Sequence, residues 1–500
     1  MKMQKKRLEE VKPNGAPSIE TKLQEKFLSA VENLALTRSL RDEGAFSLQS
    51  VNPVKILIAF SGGRDSSALL SIAAAAFNRP HQSEIASITA MHIHHGLSEN
   101  ADSWLEFCRK RAESLGVKFY AKEVYVPRSS PIGIEAAARE ARYRALFTCA
   151  REIGADAIFT AHHMDDQLET FLIQWMRGSG TEGLSGLAAL KRIEKKNASD
   201  LYLCRPWLSV TREEINEYVN AKEIPYIEDE SNSDSRYVRN LIRNEVFPLF
   251  TKARSGWKEA ASRSIENIVA ASHVLKDVAR EDLLSSEEAG GKALSIEKLR
   301  RLTDERKALT LRFWLKKNGI RAPNKAKLEE MLRQIRESHT DTKLTIRFDG
   351  KEMRRWGNRL VLIDSTAKRA SEGLDCTISW KGEDAIAVPA WGGVLHFEIC
   401  KEGEEGFDAE FLKNSPLQIC KRKGGEKIKL QPLRPSRNLK YLYQESDIPP
   451  FERERLPLVW VGKNLIYAAG LGSEVRLLAD ADLIQNRIKL VWIPDKSLLD

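Results

Sequence analysis

From Val54 to about residue 177 the chain alternates short β-branched runs with small-residue or amphipathic stretches, and this alternation limits the fold more than any other feature. "VKILIAF", "IASITAMHIHH", "VKFYAKEVYV" and "DAIFTAHH" read as strands. "SSALLSIAAAAF", "ADSWLEFCRKRAESLG", "IEAAAREARYRALFTCAREIG" and "DDQLETFLIQWMRG" read as helices between and after them. Such an order predicts an α/β domain built on a parallel sheet with helices on both faces. It also puts any ligand outside the carboxyl ends of the strands.

The first of those ends carries "SGGRDSS", residues 61–67. These residues fall between a strand and its helix, where unpaired backbone N–H groups and the helix dipole attract phosphate. Gly62 and Gly63 let the backbone turn sharply and come close to an anion. Ser61 and Ser66 add hydroxyl donors. The spacing is neither that of a Walker A loop nor that of G-x-G-x-x-G. Asp65 would repel a phosphate unless a divalent cation lay between them, so it points to Mg²⁺ bridging to phosphate. A bare Ser-Gly-Gly turn need bind nothing, and it is the acid beside Arg64 that tips the reading toward a site.

At 500 residues the chain is long enough for two to four domains. Its net charge of +9 and pI near 9.0 favour an acidic partner, nucleic acid first. Charged residues make up 30% and no apolar run approaches the ~20 residues of a spanning helix, so no membrane partner is expected. The start, "MKMQKKRLEEVKPNG", is basic without an apolar signal segment, and a cytoplasmic location is expected. None of the six cysteines forms a C-x-x-C pair, which argues against a zinc site or a disulfide framework. His92, His94 and His95 fall on both faces of a strand, which is wrong for a shared zinc.

"SGGRDSS" after a strand resembles the PP-loop of ATP pyrophosphatases, which cleave between the α- and β-phosphates and activate a carbonyl oxygen as its adenylate. Five further segments narrow the resemblance: "MHIHHGLSENADSW", "IEAAAREARYRAL", "TAHHMDDQLETFLIQWMRGSGTEGLSGL", "RPWL" and "DESNSDSRYVRNLIRNEVFP". In order and spacing they resemble the tRNA(Ile)-lysidine synthetase family over residues 54–248. A weaker resemblance continues through "RKALTLRFWLKKNGIRAPNKAKLEEMLRQI" and "RPSRNLKYLYQESDIPPFERERLPLVWVGKNLIYAAGLG". It implies that ATP adenylates C2–O of the wobble cytidine in a CAU-anticodon tRNA(Ile). Free L-lysine then displaces AMP through its ε-amine, giving lysidine, AMP and diphosphate.

The resemblance assigns ATP to Ser61, Gly62, Gly63, Arg64, Asp65 and Ser66, with Mg²⁺ at Asp65. It assigns catalytic roles to Asp65, Arg139, Arg142, His162, Asp166 and Glu169, and it admits a homodimer. The residues suit this chemistry. His162, Asp166 and Glu169 are spaced i, i+4 and i+7, one face of a helix, while Leu168, Phe171, Leu172 and Trp175 form an opposite apolar stripe. Two carboxylates and an imidazole can hold an ammonium and take protons as an amine attacks. Asp165 reads as a cap favouring the helix dipole. Glu135, Arg139 and Arg142 share a face that also suits a solvated ion-pair surface. Arg236, Arg239 and Arg243 form a basic stripe suited to an RNA backbone.

The expected layout is an N-terminal extension with one amphipathic helix (1–50), a PP-loop ATP-binding catalytic domain (51–248), a mainly helical, tRNA-contacting middle domain (249–370) and a small α+β tRNA-binding domain (371–500). In the last, "KRKGGEKIKL" and "LRPSRNLKYLY" would grip tRNA away from the reacting base. Two other readings stay open. A PP-loop tRNA thiolase needs reactive, commonly paired cysteines, and a non-catalytic tRNA-binding protein could keep the same fold. An asparagine- or GMP-synthetase type of amidotransferase would need a glutaminase domain with a terminal nucleophilic cysteine.

Overall fold

A computed structural model describes residues 18–42, 52–79, 84–96, 100–125, 134–193, 200–228, 238–288, 291–337, 344–348, 350–364, 375–401, 403–446, 448–479 and 486–495. Arg236, the side chain of Glu135 and the first seventeen residues lie outside them. The chain forms two compact units, one ending at His273 and one beginning at Val274.

The first unit is built on β1 (Val54–Ala59), β2 (Ile85–His94), β3 (Lys118–Glu123), β4 (Ala157–Phe159), β5 (Leu190–Ile193) and β6 (Leu201–Cys204). Their order in the sheet is β3-β2-β1-β4-β6-β5. Five strands run parallel, as the alternation predicts, and β5 is an antiparallel edge strand on β6. Helices α2 (Arg64–Phe77), α3 (Ala101–Ser114) and α4 (Ile134–Glu152) make the first crossovers. The chain leaves β1 toward β2 and returns on its other side at β4, so the switch point of the sheet opens at the carboxyl ends of these two strands.

Helix α1 (Ile19–Asp42) is a layer of this unit, not the appendage expected from its position. Its stripe Leu23, Phe27, Val31 and Leu34 is fully buried in one core with β1 and α2. The Phe27 ring lies 5.4 Å from that of Phe159, and the Trp207 indole N–H donates to the Leu23 carbonyl at 3.2 Å. An amphipathic stripe announces burial but not the partners, which here come both from β1 and α2 and from residues more than a hundred positions away.

Helix α5 (Met164–Met176) leads through the short α6 (Thr181–Leu184) to β5, and α7 (Arg212–Ala221) follows β6. Leu168 is buried and Phe171 and Leu172 pack beside it, but Trp175 is 62% exposed and ends the stripe in solvent. The glycine-rich stretch after α5 is stapled back: the Gln167 amide accepts from Leu187 N–H and donates to the carbonyls of Ser185 and Leu187. Further on, α8 (Val238–Leu241) widens into one π turn (Ile242–Val246) before α9 (Phe247–Ala253). Pro248 lacks an N–H and its ring would strike the carbonyl four residues back, so a wider turn ahead of it relieves the clash. Helix α10 (Trp257–Ser286) follows.

The second unit begins with a mixed region rather than a mainly helical one. Helices α11 (Ile296–Arg300), α12 (Asp304–Lys317) and α13 (Lys325–Glu337) share a core with an antiparallel sheet. That sheet includes the expected hairpins of residues 345–364, whose register pairs Met353 with Leu362 and with Ile346. Among the described residues the remainder carries two further antiparallel sheets, of five and four strands, and a two-stranded one. Among the described residues no helix is long and apolar enough to cross a membrane.

Candidate active site

A cavity of about 1250 Å³ opens at the switch point. Its floor is the turn from β1 into α2. Gly62 adopts φ +85° and its carbonyl accepts from Ile227 N–H at 2.9 Å. A Cβ there would stand 2.7 Å from Ile227 Cδ1 and 2.8 Å from Cys108 Sγ, so only glycine lets the loop seat. Gly62 therefore shapes the loop from behind, while Ser61, Gly63, Arg64, Asp65 and Ser66 line the cavity. The Ser61 and Ser66 hydroxyls are 3.0 Å apart and Ser66 Oγ donates to the Gly63 carbonyl. Gly63 is the N-cap of α2 and no side chain caps it, leaving the first N–H groups turned toward the cavity. Arg64 is clamped: its guanidinium donates to Asn216 Oδ1 and Tyr226 Oη and lies 4.5 Å over the Tyr226 ring.

Asp65 is organised by a residue that the sequence reading passed over. The fully buried His163 imidazole stands between three carboxylates, with Nε2 at 3.5 Å from Asp65 and 3.6 Å from Asp166, and Nδ1 at 3.8 Å from Asp165. Burial alone would strip its proton; the charge of Asp166, then Asp65 and Asp165, outweighs burial and lifts its pKa to about 9. Burial works against ionisation of Asp65 too, but the hydrogen bond and charge of His163 win, and its pKa lies below the usual carboxylate value. Asp65 Oδ1 is buried and has no hydrogen-bond partner among the described residues.

The acids of α5 divide their work differently from the i, i+4, i+7 expectation. Asp166, at the third helical position, accepts from His163 N–H at 3.0 Å and is the true cap of its own helix while also facing the cavity. Asp165, expected as that cap, is instead buried: it accepts from Arg212 N–H at the start of α7 and pairs with Lys258 on α10 at 2.5 Å. Glu169 is fully buried and does not line the cavity. Its Oε1 takes two bonds from Arg243, at 2.7 Å from Nε and 2.6 Å from an Nη, and Arg243 also lies 3.5 Å from Asp166. Arg243 was expected on an RNA-facing stripe; the π turn brings it, with Arg239 and Asn244, to the cavity wall. Burial opposes its charge, but Glu169 and Asp166 hold the guanidinium protonated.

The opposite wall is cationic. Arg139 and Arg142 both line the cavity and sit 5.3 and 5.5 Å from the Tyr143 ring, whereas the solvated pair of this helix is Glu140 with Arg144. Arg205 is buried behind them and donates to the Ala188 carbonyl. His162 precedes α5 instead of riding on it, and its Nδ1 is 2.8 Å from Thr160 Oγ1. Burial, assisted by Arg205, Arg139 and Arg142 against the attraction of Asp166, holds its pKa at about 3. His95 is held at about 4, by burial first and Arg142 next. His92 is buried at the cavity wall, with Nδ1 on the Phe60 carbonyl, and His94 pairs with Asp102.

These two depressed values set a pH dependence. In the unfolded chain both imidazoles protonate near 6.5 and in the folded chain only near 4 and 3, so the stability they confer is present above pH 6.5 and is lost as pH falls. Each group adds a slope of up to ~1.4 kcal/mol per pH unit below 6.5. Urea unfolding followed from pH 7.5 to 5 should show His162→Asn losing stability less steeply than the parent. Parallel curves would mean that His162 is charged in the fold.

A parallel sheet with a phosphate loop at its switch point, an acid embedded in that loop and no lysine beside it defines a PP-loop nucleotide-binding protein. The family profile described as the PP-loop domain matches residues 31–250, and profiles described as the TilS substrate binding domain and the TilS substrate C-terminal domain match 294–361 and 417–492. The tRNA(Ile)-lysidine synthase of Ralstonia nicotianae is 37% identical over 88% of this chain and 92% of its own length. That of Burkholderia pseudomallei is 33% identical over 88% and 93%. The chain belongs to the tRNA(Ile)-lysidine synthase family. Among solved structures, a U34-tRNA thiolase from Methanococcus maripaludis covers 49% of this chain and 80% of its own, at 16% identity and a TM-score of 0.37, too loose a likeness to bear on the chemistry.

Proposed function

We propose that the chain ligates free L-lysine to C2 of the wobble cytidine of a CAU-anticodon tRNA(Ile), using ATP and releasing AMP and diphosphate. The observation that carries this reading is one cavity with a phosphate-binding turn as its floor, carboxylates on one wall and arginines on the other. ATP lies along residues 61–66, its phosphates on the N–H groups that open α2 and the hydroxyls of Ser61 and Ser66. Asp65 Oδ1, buried and unpartnered, fits a hard divalent cation, and Asp65 would hold Mg²⁺ there. When bound, that ion neutralises charge on the departing diphosphate. Arg139 and Arg142 draw the RNA phosphate or the adenylate, for which a planar, permanently charged fork is suited. Asp166 orients the lysine ammonium and takes a proton as the ε-amine attacks, while neutral His162 lines the same cavity without adding charge. Glu169 is a positioning residue, holding Arg243 toward Asp166.

The thiolase alternative lacks support in the thiols. Cys108, Cys149 and Cys204 are buried, and burial lifts the pKa of Cys108 and Cys204 to about 12, where no thiolate forms at neutral pH. Mass analysis of a CAU-anticodon tRNA incubated with the protein, ATP, Mg²⁺ and lysine tests the reaction. A cytidine gaining one lysine less one water is expected; a gain of sulfur, or AMP release that ignores lysine, overturns it.

A further inference from the structure

Arg64 stands inside the phosphate loop, yet its side chain is fastened to other parts of the fold. Nη1 donates to Asn216 Oδ1 on α7 at 2.9 Å, and Nη2 donates to Tyr226 Oη at 2.6 Å and to Glu228 Oε1 at 3.1 Å. The guanidinium also lies 4.5 Å from the centre of the Tyr226 ring, close enough for a cation–π contact. Glu228 is 78% exposed, and a surface pair of that kind holds little, so the fastening rests on Asn216 and Tyr226. Both terminal nitrogens are therefore engaged by protein groups.

What this clamp holds is a short extended segment, residues 226–228, laid along the loop. Gly63 and Ile227 pair as a single parallel bridge, and Ile227 N–H donates to the Gly62 carbonyl at 2.9 Å. That bond fixes the peptide between Gly62 and Gly63, which two consecutive glycines would otherwise leave free to flip. In a planar trans peptide the carbonyl and the N–H point opposite ways, so a Gly62 carbonyl held on Ile227 aims the Gly63 N–H away from the segment. On that side it meets Ser61 Oγ at 3.4 Å, a bond long enough to yield to an anion.

We propose that Arg64 is a positioning residue for ATP and not a ligand of its phosphates: by clamping Tyr226 and Asn216 together it keeps residues 226–228 on the loop, and that segment keeps the Gly63 N–H aimed at the triphosphate. This rests on the reading of residues 61–66 as the ATP loop. A ligand and a brace differ in which residues share an effect. A phosphate ligand acts through its charge, which lysine also supplies, and does so independently of Tyr226. A brace needs the planar fork together with its partners, and is lost once either side of the clamp is gone.

Steady-state diphosphate release by the full chain, with a CAU-anticodon tRNA and lysine saturating and Mg-ATP varied, separates the two. Arg64→Leu should raise KM for ATP about tenfold, the worth of one hydrogen bond to a charged group, while kcat and KM for lysine change less than about twofold. Arg64→Lys should raise it about fivefold or more despite its charge, because an ammonium cannot make the fork. Tyr226→Leu should match Arg64→Leu, and the double variant should be no worse than either single one. Arg64→Lys equal to the parent, or a double variant whose KM rises by the product of the two single effects, makes Arg64 a ligand and overturns the proposal. So does a fall in kcat at unchanged KM. Melting temperatures check each preparation. Arg64→Lys and Tyr226→Phe keep the bulk of both side chains and carry the same cycle where Arg64→Leu or Tyr226→Leu unfolds, with the same lack of additivity expected. If the parent releases no diphosphate from ATP, the reading of the loop falls, and this proposal with it.

Discussion

Asp65→Asn is expected to lower ATP-dependent diphosphate release by about a thousandfold while leaving the fold intact. The amide is the same size and still accepts from His163, so the turn into α2 keeps its shape. What disappears is the negative charge on Oδ1, the buried oxygen without a partner, at the point where charge builds on the leaving group. Removing one preorganised electrostatic contact of this kind costs about 10² to 10³ in rate, and loss of a metal contact belongs at the upper end. Diphosphate release and circular dichroism on the same preparation check it. Near-normal turnover would remove Asp65 from the reaction and with it the phosphate-loop assignment.

The second large effect falls on stability. His163→Leu should destabilise the first unit by about 3 to 5 kcal/mol, because it deletes a buried cation and leaves Asp65, Asp165 and Asp166 facing one another. Lys258 and Arg243 each neutralise part of that cluster, but neither stands between Asp65 and Asp166. His163 protonates near 6.5 in the unfolded chain and near 9 in the fold, so its contribution is complete below pH 6.5 and is lost as pH rises through 9; urea unfolding at pH 7.5 and pH 9.5 should give a larger difference from the parent at the lower pH. A variant as stable as the parent at pH 7.5 would mean that His163 is neutral in the fold. His163→Gln, which keeps a donor without the charge, separates hydrogen bonding from electrostatics.

How far the sequence could be read depended on how local the determining physics was. The parallel sheet was legible because β-branched runs and helical periods alternate within single windows, and "SGGRDSS" was legible because the strand, the turn and the helix that make an anion site are consecutive. Asp65 and Asp166 could be picked out on the same basis. His163 could not: the pair His162-His163 offers two imidazoles, and only the approach of α2 to α5 decides which is ringed by carboxylates. A His at the N-cap position followed by Asp at the third helical residue was the available sign. Glu169 and Arg243 each looked exposed and useful from their own helices, yet they bury one another because the π turn before Pro248 rotates Arg243 inward. Trp175 continued an apolar stripe that runs out of partners one turn too early.

The seating of α1 has a consequence for how the chain is made. Its buried stripe leaves the ribosome before the sheet it packs on, and part of what covers it is encoded far downstream: Trp207, which bonds to the Leu23 carbonyl, and Glu214, which pairs with Lys22. A separation of 184 residues at about 5 to 20 residues per second leaves the helix waiting roughly ten to forty seconds for that cover. During that interval Leu23, Phe27, Val31 and Leu34 have β1 and α2 to pack on but lack the cover that Phe159 and Trp207 complete. The helix is thus made before part of its cover and locked only with it, and the growing chain keeps some of that apolar stripe open to a chaperone at the exit tunnel until β6 and α7 have been synthesised.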